Sequence, residues 1–294
     1  MLNAIVGNNW GGRMGNELLS YTNERSTDTH ILGFQEVNRN ARTAFPGATY
    51  VTNLRDFQKG LPAQIMINQY EMLESVLSAT HKGSFAAENN DTYKCVTGAE
   101  YPNTEYGNAL FVSHDLMEIE RGEIFILGDY NVSLRNGSTS RVMPYVVFQW
   151  KRNMYLFAFE HGVWYQDTVT KSTKDDGPIR YAQSANILSA IERLVNKFAI
   201  TRVIFGGDLN LDINTDAIMM LERGIHNGKM PFRNLIREMN ILNTRVEGKY
   251  RDYHTLGASR YADYMFVSEE IQVHDLKLIG EKVSDHFHLQ LQFS

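Results

Sequence analysis

The sequence predicts an α/β fold. Apolar, β-branched runs alternate with stretches of helical periodicity, and the runs end in glycines, acids and amides, as in sheets that present their chemistry beyond the carboxyl ends of strands. Val203-Ile204-Phe205-Gly206-Gly207-Asp208-Leu209-Asn210 is the sharpest case. The two glycines let the backbone turn without a Cβ clash. If the extended conformation persists beyond them, period-two geometry sets Asp208 and Asn210 on one side, facing one phosphate or one hydrated metal. A strand end closed by an Asx turn accounts for the same tetrad, so a functional role needs partners elsewhere in the chain.

Length and composition bound the rest. The 294 residues could form one large or two modest domains, and 43% hydrophobic residues suffice for a buried core. The polar residues that end strands are spread from residue 8 to residue 286, so one domain spanning 1–294 must gather them. With 29 basic against 34 acidic residues the net charge is −5, and no global positive field draws in nucleic acid. Any polyanion must be held at close range, where a divalent cation offsets its charge. Cys95 is the single cysteine, which excludes an intramolecular disulfide framework and a thiolate metal cluster. The amino terminus has no basic n-region and too short an apolar run for a signal peptide, and no stretch approaches the roughly 20 apolar residues of a membrane span. The expected location is cytoplasmic, with no obligate protein partner.

In chain order, residues 2–7 read as a short buried strand running into Asn8-Asn9-Trp10-Gly11-Gly12. Residues 13–25 suit a helix with Leu18, Leu19 and Tyr21 inward, before Ile31-Leu32-Gly33-Phe34 forms a strand ending in Gln35-Glu36. Residues 50–52 and 64–67 are further strand candidates. The mixed, polar stretch 71–105, with Asn89-Asn90-Asp91, suggests loops over a short strand or two. Residues 108–113 and 123–127 are strand-like, and 131–140, rich in Ser, Asn and Gly, forms a surface loop. Residues 142–150 and 154–159 flank Lys151-Arg152-Asn153 as a hairpin whose second arm ends at Glu160-His161-Gly162. A polar loop over 165–177 leads to a helix with Pro178 in its first turn. Ile179, Ala182, Leu188, Ile191, Leu194, Val195 and Phe198 then recur every three or four residues and make one apolar face. Helices are expected at 215–224 and 231–241, and strands at 261–267 and 287–293. The last alternates strictly, which suits a sheet edge or a half-exposed strand, whereas the unbroken runs at 31–34 and 203–205 suit a buried centre.

Asn8, Glu36, His161, Asp208, Asn210, Asp263, Asp285 and His286 each lie at or beside a strand terminus. Each has an ordinary explanation alone, as a cap, a surface acid or a packed histidine. The set Phe34-Gln35-Glu36-Val37, Gly207-Asp208-Leu209-Asn210, Asp263-Tyr264-Met265-Phe266-Val267 and Ser284-Asp285-His286, in that order, resembles the motif set of the endonuclease/exonuclease/phosphatase superfamily over essentially the whole chain. The resemblance implies a four-layer α/β sandwich, two mixed β-sheets packed face to face with helices outside. It also implies a hydrolase that attacks phosphoesters with an activated water and a divalent cation, Mg²⁺ or Mn²⁺.

Residue by residue, it implies Glu36 as the principal metal ligand, completed or braced by Asn8 and Asp285, a hard-oxygen set suited to Mg²⁺. Asp208 would orient or deprotonate the water, and Asn210 would hold a phosphate oxygen without adding negative charge. His286 oriented by Asp263, with His161 opposite, would donate to phosphoryl oxygens. Here His161 follows Glu160, where the family usually has a threonine, and Asn8 is followed by Asn9 in place of an aliphatic residue. The other seven histidines read as structural. Asn108, Arg180, Trp10 and Trp164 are weaker candidates for substrate contact, as is Arg141. The motif histidine of abasic-site endonucleases is missing after Asn210, and the basic signatures of inositol-polyphosphate phosphatases are missing too. The expected substrate is a phosphodiester, DNA or RNA included. A small-molecule phosphomonoester is the alternative, and a non-catalytic binding module a third.

Overall fold

The computed structural model describes residues 1–40, 47–58, 64–133, 140–164, 175–246, 260–280 and 282–294. In chain order the elements are β1 (Leu2–Asn8), α1 (Gly15–Arg25), β2 (Ile31–Arg39), β3 (Tyr50–Thr52), α2 (Leu54–Gln58), β4 (Gln64–Met66), α3 (Gln69–Leu77), β5 (His81–Lys94), β6 (Glu100–Ser113) and β7 (Met117–Leu127). There follow β8 (Arg141–Trp150), β9 (Asn153–Phe159), α4 (Pro178–Phe198), β10 (Arg202–Asp208), α5 (Asp216–Arg223), β11 (Phe232–Asn234), α6 (Leu235–Glu238), β12 (Asp263–Ser268), β13 (Val273–Ile279) and β14 (His288–Phe293).

One six-stranded sheet has the order β13-β14-β1-β2-β6-β5 and a second has β11-β12-β10-β9-β8-β7, with β3 and β4 paired separately. Each large sheet carries one parallel pair near its centre, β1–β2 and β9–β10, spanned in sequence by α1 and α4 respectively. Their other neighbours run antiparallel.

Burial on two faces explains the unbroken apolar runs. In β1, Leu2, Ala4 and Val6 point into the core shared with the second sheet, while Ile5 points the other way, into a cluster with Leu18 of α1 and Leu73 and Leu77 of α3. The second sheet is covered by α4, whose Ile187, Ala190, Ile191, Leu194 and Val195 are buried at helical spacing. This is the mixed, two-sheet α/β sandwich expected. Among the described residues no helix is long and apolar enough to cross a membrane.

The hairpin at 151–153 is tighter than its sequence suggested: Lys151 and Arg152 have φ of 47° and 70°, and Trp150 pairs with Asn153. The stretch 71–105 overturns its expectation of loops, because α3 is followed by the antiparallel strands β5 and β6, 14 residues each. β5 is the edge of its sheet, so its open face is polar and hides the strand period. Of the helix expected over 231–241 only α6 forms, after β11 has paired with β12. β14 is no edge, since β13 lies outside it; its half-exposed character holds, with Leu289, Leu291 and Phe293 buried and Gln290 and Gln292 partly open. The greater part of the surface loops expected at 131–140 and 165–177 lies outside the described residues.

Candidate active site

Four strands of the two parallel pairs end at one place. Asn8, the last residue of β1, donates from Nδ2 to Glu36 Oε1 at 3.0 Å and to Asp208 Oδ2 at 3.1 Å, and its Oδ1 accepts from the Trp10 amide at 2.8 Å. One carboxamide thus ties the end of the first sheet to the end of the second. Asn9 is buried and makes no such link. Across the same seam the Gln35 side-chain amide donates to the Glu160 carbonyl. A Cβ at Gly207, where φ is 122°, would strike that carbonyl at 2.1 Å, so only glycine admits this approach.

Glu36 sits in a bulge of β2, between Phe34 and Val37, with φ of 56°. The bulge turns its carboxyl out of the strand, and Oε1 lies 3.5 Å from His161 Nε2. Burial raises its pKa, Asn8's hydrogen bond works against that, and the neighbouring Asp285 carboxylate adds to it.

Asp208 closes β10. The extended conformation does not continue past it: Asn210 has φ of 55°, and its amide donates to Asp208 Oδ1 at 2.9 Å. The Asx turn is therefore real, and it is also the device that aims the site. Asn210 Nδ2 reaches the Gly162 carbonyl at 3.4 Å, joining this turn to the one after His161.

His286 Nδ1 faces both oxygens of Asp263, at 2.8 and 3.0 Å, which leaves Nε2 directed toward Asp208 Oδ2 at 3.6 Å and Asp285 Oδ1 at 3.9 Å. Burial and the Arg245 guanidinium oppose the charged imidazole, but the carboxylates of Asp263, Asp285 and Asp208 outweigh them and hold its pKa above the ordinary value. Thr244 Oγ1 accepts from the amides of Ala262 and Asp263, both at 3.1 Å, and Ser284 Oγ accepts from that of His286 at 3.2 Å.

The structure gathers Asn8, Glu36, His161, Asp208, Asn210, Asp263, Asp285 and His286 at one end of the sandwich. The weaker candidates are placed variously. Asn108 is buried and donates to Glu88 Oε1 at 3.2 Å and the Val142 carbonyl at 2.9 Å. Arg141 is buried against Glu88 at 2.7 Å. Arg180 is buried too, and its Nη1 donates to the Asn210 carbonyl at 2.8 Å. Trp164 is 58% exposed, and Trp10 stands beside the site with the Arg13 guanidinium 5.4 Å from its ring centre. Sequence reasoning missed Arg245, which contacts His286 Nε2 and lies 3.4 Å from Asp285 Oδ2, and it missed Arg13, Gln35 and Thr244. No strand-end motif marks the arginines or Thr244; Gln35 stood inside a motif beside the residue that took the attention.

The donor set fits a divalent cation. Ligand atoms of Asp208, Asp263 and His286 lie within 4.8 Å of one another, yet both Asp263 oxygens are engaged by His286. Glu36, with Asp285 and Asn8 beside it, could also hold one: burial and the Asp285 carboxylate disfavour its charged form, a cost that a hard cation relieves.

The family model described as the Endonuclease/Exonuclease/phosphatase family matches residues 8–286. No curated protein sequence matches the chain. Among solved structures, the chain is similar to an endonuclease/exonuclease/phosphatase from Bacteroides vulgatus, at 13% identity and a TM-score of 0.63, over 100% of this chain and 98% of that one. It is also similar to the human Nocturnin catalytic domain with bound sulfate, at 14% identity and 0.63, over 100% and 94%. The mannosyl-6-phosphatase of Bacteroides thetaiotaomicron matches at 14% identity and 0.62, over the whole of both chains.

Proposed function

The chain belongs to the endonuclease/exonuclease/phosphatase family, and from that premise we propose that it is a Mg²⁺- or Mn²⁺-dependent phosphoester hydrolase, acting on phosphodiesters as a nuclease or general phosphodiesterase. What carries this is the meeting of Asn8, Glu36, Asp208 and the His286–Asp263 pair at one point, drawn from both sheets.

Glu36 and Asp285 would hold the cation, with Asn8 bracing the Glu36 carboxyl through Nδ2, and the cation when bound neutralises charge on the phosphoryl oxygens. Asp208 stands where it orients a water for in-line attack and takes its proton: Asn8 and the Asn210 amide fix its two oxygens. The water oxygen bonds to phosphorus as the ester P–O bond on the far side breaks. His286, with Nδ1 committed to Asp263 and its pKa raised by the surrounding carboxylates, would turn Nε2 toward the charge that develops on a phosphoryl oxygen. His161 offers a second donor beside Glu36.

A small-molecule phosphomonoesterase is the second reading, favoured by a pocket that opens next to Glu36. Product release from plasmid DNA, bis-(p-nitrophenyl) phosphate and p-nitrophenyl phosphate, each with Mg²⁺, Mn²⁺ and EDTA, separates the two. Cleavage of a diester, either plasmid DNA or bis-(p-nitrophenyl) phosphate, is the expected result, and activity on the monoester alone would reverse the order. If millimolar Mg²⁺ finds no site that Glu36→Ala removes, the chain is a binding module instead.

A further inference from the structure

A pocket of about 420 Å³ opens beside Glu36, and its walls include Arg13, Asn53, Ile65, Tyr93, Lys94 and Tyr106. Its size is that of a site for one small organic molecule. Glu36 is the only carboxylate among the described residues that line it, against two cations, in a chain whose net charge is −5. We propose that this pocket seats the organic part of the substrate together with a second anionic group, so that the substrate is a compact phosphoester bearing two anions, of nucleotide or sugar-bisphosphate size. The proposal rests on the phosphoester reading of the Glu36 site.

Three features support it. Arg13 is set in place, its Nη1 donating to the Trp10 carbonyl at 2.7 Å and its guanidinium lying over the Trp10 ring. A Cβ at Gly11 would lie 2.9 Å from that Nη1 and 3.7 Å from Glu36 Oε2, so the guanidinium stands near the Glu36 carboxylate, whose charged form it favours. Lys94 sits at the mouth, its side chain 68% exposed and 3.5 Å from Glu100, an exposed pair that an incoming anion displaces at little cost. Two aromatic residues share the lining with these cations. Tyr93 is held by the bond from its hydroxyl to Asn38 Oδ1 at 2.9 Å, and Tyr106 lies 6.4 Å from the His161 ring. Two cations and two aromatic side chains in one pocket complement a compact organic ring that carries anions. A duplex would instead require a positive surface running along the protein, and the chain's charge supplies no such field.

The test pairs the p-nitrophenyl ester of thymidine 5′-monophosphate with the same ester carrying a 3′-phosphate, and fructose 6-phosphate with fructose 1,6-bisphosphate. For the pair that is turned over, the doubly anionic member should have a kcat/KM about tenfold or more higher. The ratio should fall toward one in Arg13→Gln/Lys94→Gln and survive in Arg13→Lys/Lys94→Arg. Calorimetry in EDTA supplies a readout apart from catalysis: thymidine 3′,5′-bisphosphate should bind more tightly than thymidine 5′-monophosphate, or fructose 1,6-bisphosphate more tightly than fructose 6-phosphate, and the Gln variant should lose the difference. Lys94→Gln alone, at an exposed position, serves if the double variant does not fold. Hydrolysis with no preference for the second anion, and no difference in binding, overturns the pocket while leaving the phosphoesterase intact. Preferential binding that needs Arg13 and Lys94, in a protein that hydrolyses no phosphoester, keeps the pocket and removes the catalytic reading.

Discussion

Asp208 is constrained on both oxygens and faces the His286 imidazole, whose pKa the surrounding carboxylates raise, so its identity as an acid matters more than its volume. Asp208→Asn keeps the shape and removes the proton acceptor. Turnover should drop by at least about a hundredfold, with the thermal melting curve unchanged to within a few degrees. A variant that fails to fold at room temperature would assign Asp208 a structural role. His288, two residues past His286, is legible for the opposite reason. Alternation with apolar neighbours marked it as packed or solvent-facing, and it is fully buried, 5.4 Å from the Tyr21 ring and directly beneath Gly7. Burial lowers its pKa to about 4. The folded state then binds a proton less readily than the unfolded chain, so stability is complete above pH 6.5 and is lost as pH falls toward 4. The loss is about 3 kcal/mol from this group. His288→Gln should remove this contribution and leave the opposite slope of Glu88 uncovered, so that the variant loses stability from pH 4.5 to 6.5 where the native protein stays nearly flat, read from urea unfolding midpoints at the two values. What the sequence could not show at this scale was Arg245: it precedes an unmotivated stretch and reaches the site only because residues 244–246 pair with 285–287.

At the scale of elements, α4 does more than cover a sheet. Its apolar periodicity was legible at Ile191, Leu194 and Val195, but Ala182 is exposed, Ile187 is buried where Leu188 was expected, and the first turns bury Arg180, Gln183 and Ser184, polar residues that spoil an amphipathic pattern. Gln183 accepts from the Val163 amide at 2.7 Å and Arg180 donates to the Asn210 carbonyl, so one helix end grips both loops that carry His161 and Asp208. Burial lowers the Arg180 pKa to about 10, which leaves the guanidinium charged at neutral pH. Arg180 is a positioning residue. Arg180→Met should lower kcat about tenfold to a hundredfold by letting the Asp208–Asn210 turn move, with KM little changed; a rise in KM alone would return Arg180 to the substrate. Such long-range duties are invisible in local pattern. So was β5, whose polar open face reads as loop, and β11, three residues too short to announce a strand before α6 begins. Runs buried on both faces, such as those of β2 and β10, were legible because nothing but a central strand needs them.

For the molecule as a whole, the two sheets are joined near the site by a buried polar cluster as well as by the apolar core. A bulge between Ala87 and Asn89 aims Glu88 of β5 at Arg141 of β8, and Asn108 of β6 donates both to Glu88 and to the Val142 carbonyl. Glu160, fully buried next to His161, has no hydrogen-bond partner for its carboxyl among the described residues, and burial holds its pKa well above the usual range. Three buried groups of this kind, two acids and one cation, cannot all be comfortable at one pH. Burial raises the Glu88 pKa to about 7, though Arg141 and Asn108 pull it down. The folded state therefore holds this proton more tightly than the unfolded chain, and the stability it contributes is full below pH 4.5 and lost as pH rises through 7, by about 3 kcal/mol. Between pH 4.5 and 6.5 this slope runs against that of His288, and the two largely cancel, so these groups leave the native protein's stability nearly flat there. Arg141→Met separates them. Without the guanidinium an ionised Glu88 is left buried and unpaired, at a cost of about 3–5 kcal/mol at pH 8. At pH 5.5 Glu88 takes a proton and the cost shrinks to about the loss of a hydrogen bond, 1–2 kcal/mol. Urea unfolding of the variant and the native protein at both values measures the difference, and an equal deficit at pH 5.5 and 8 would mean that the Glu88–Arg141 pair joins the sheets by packing and not by charge.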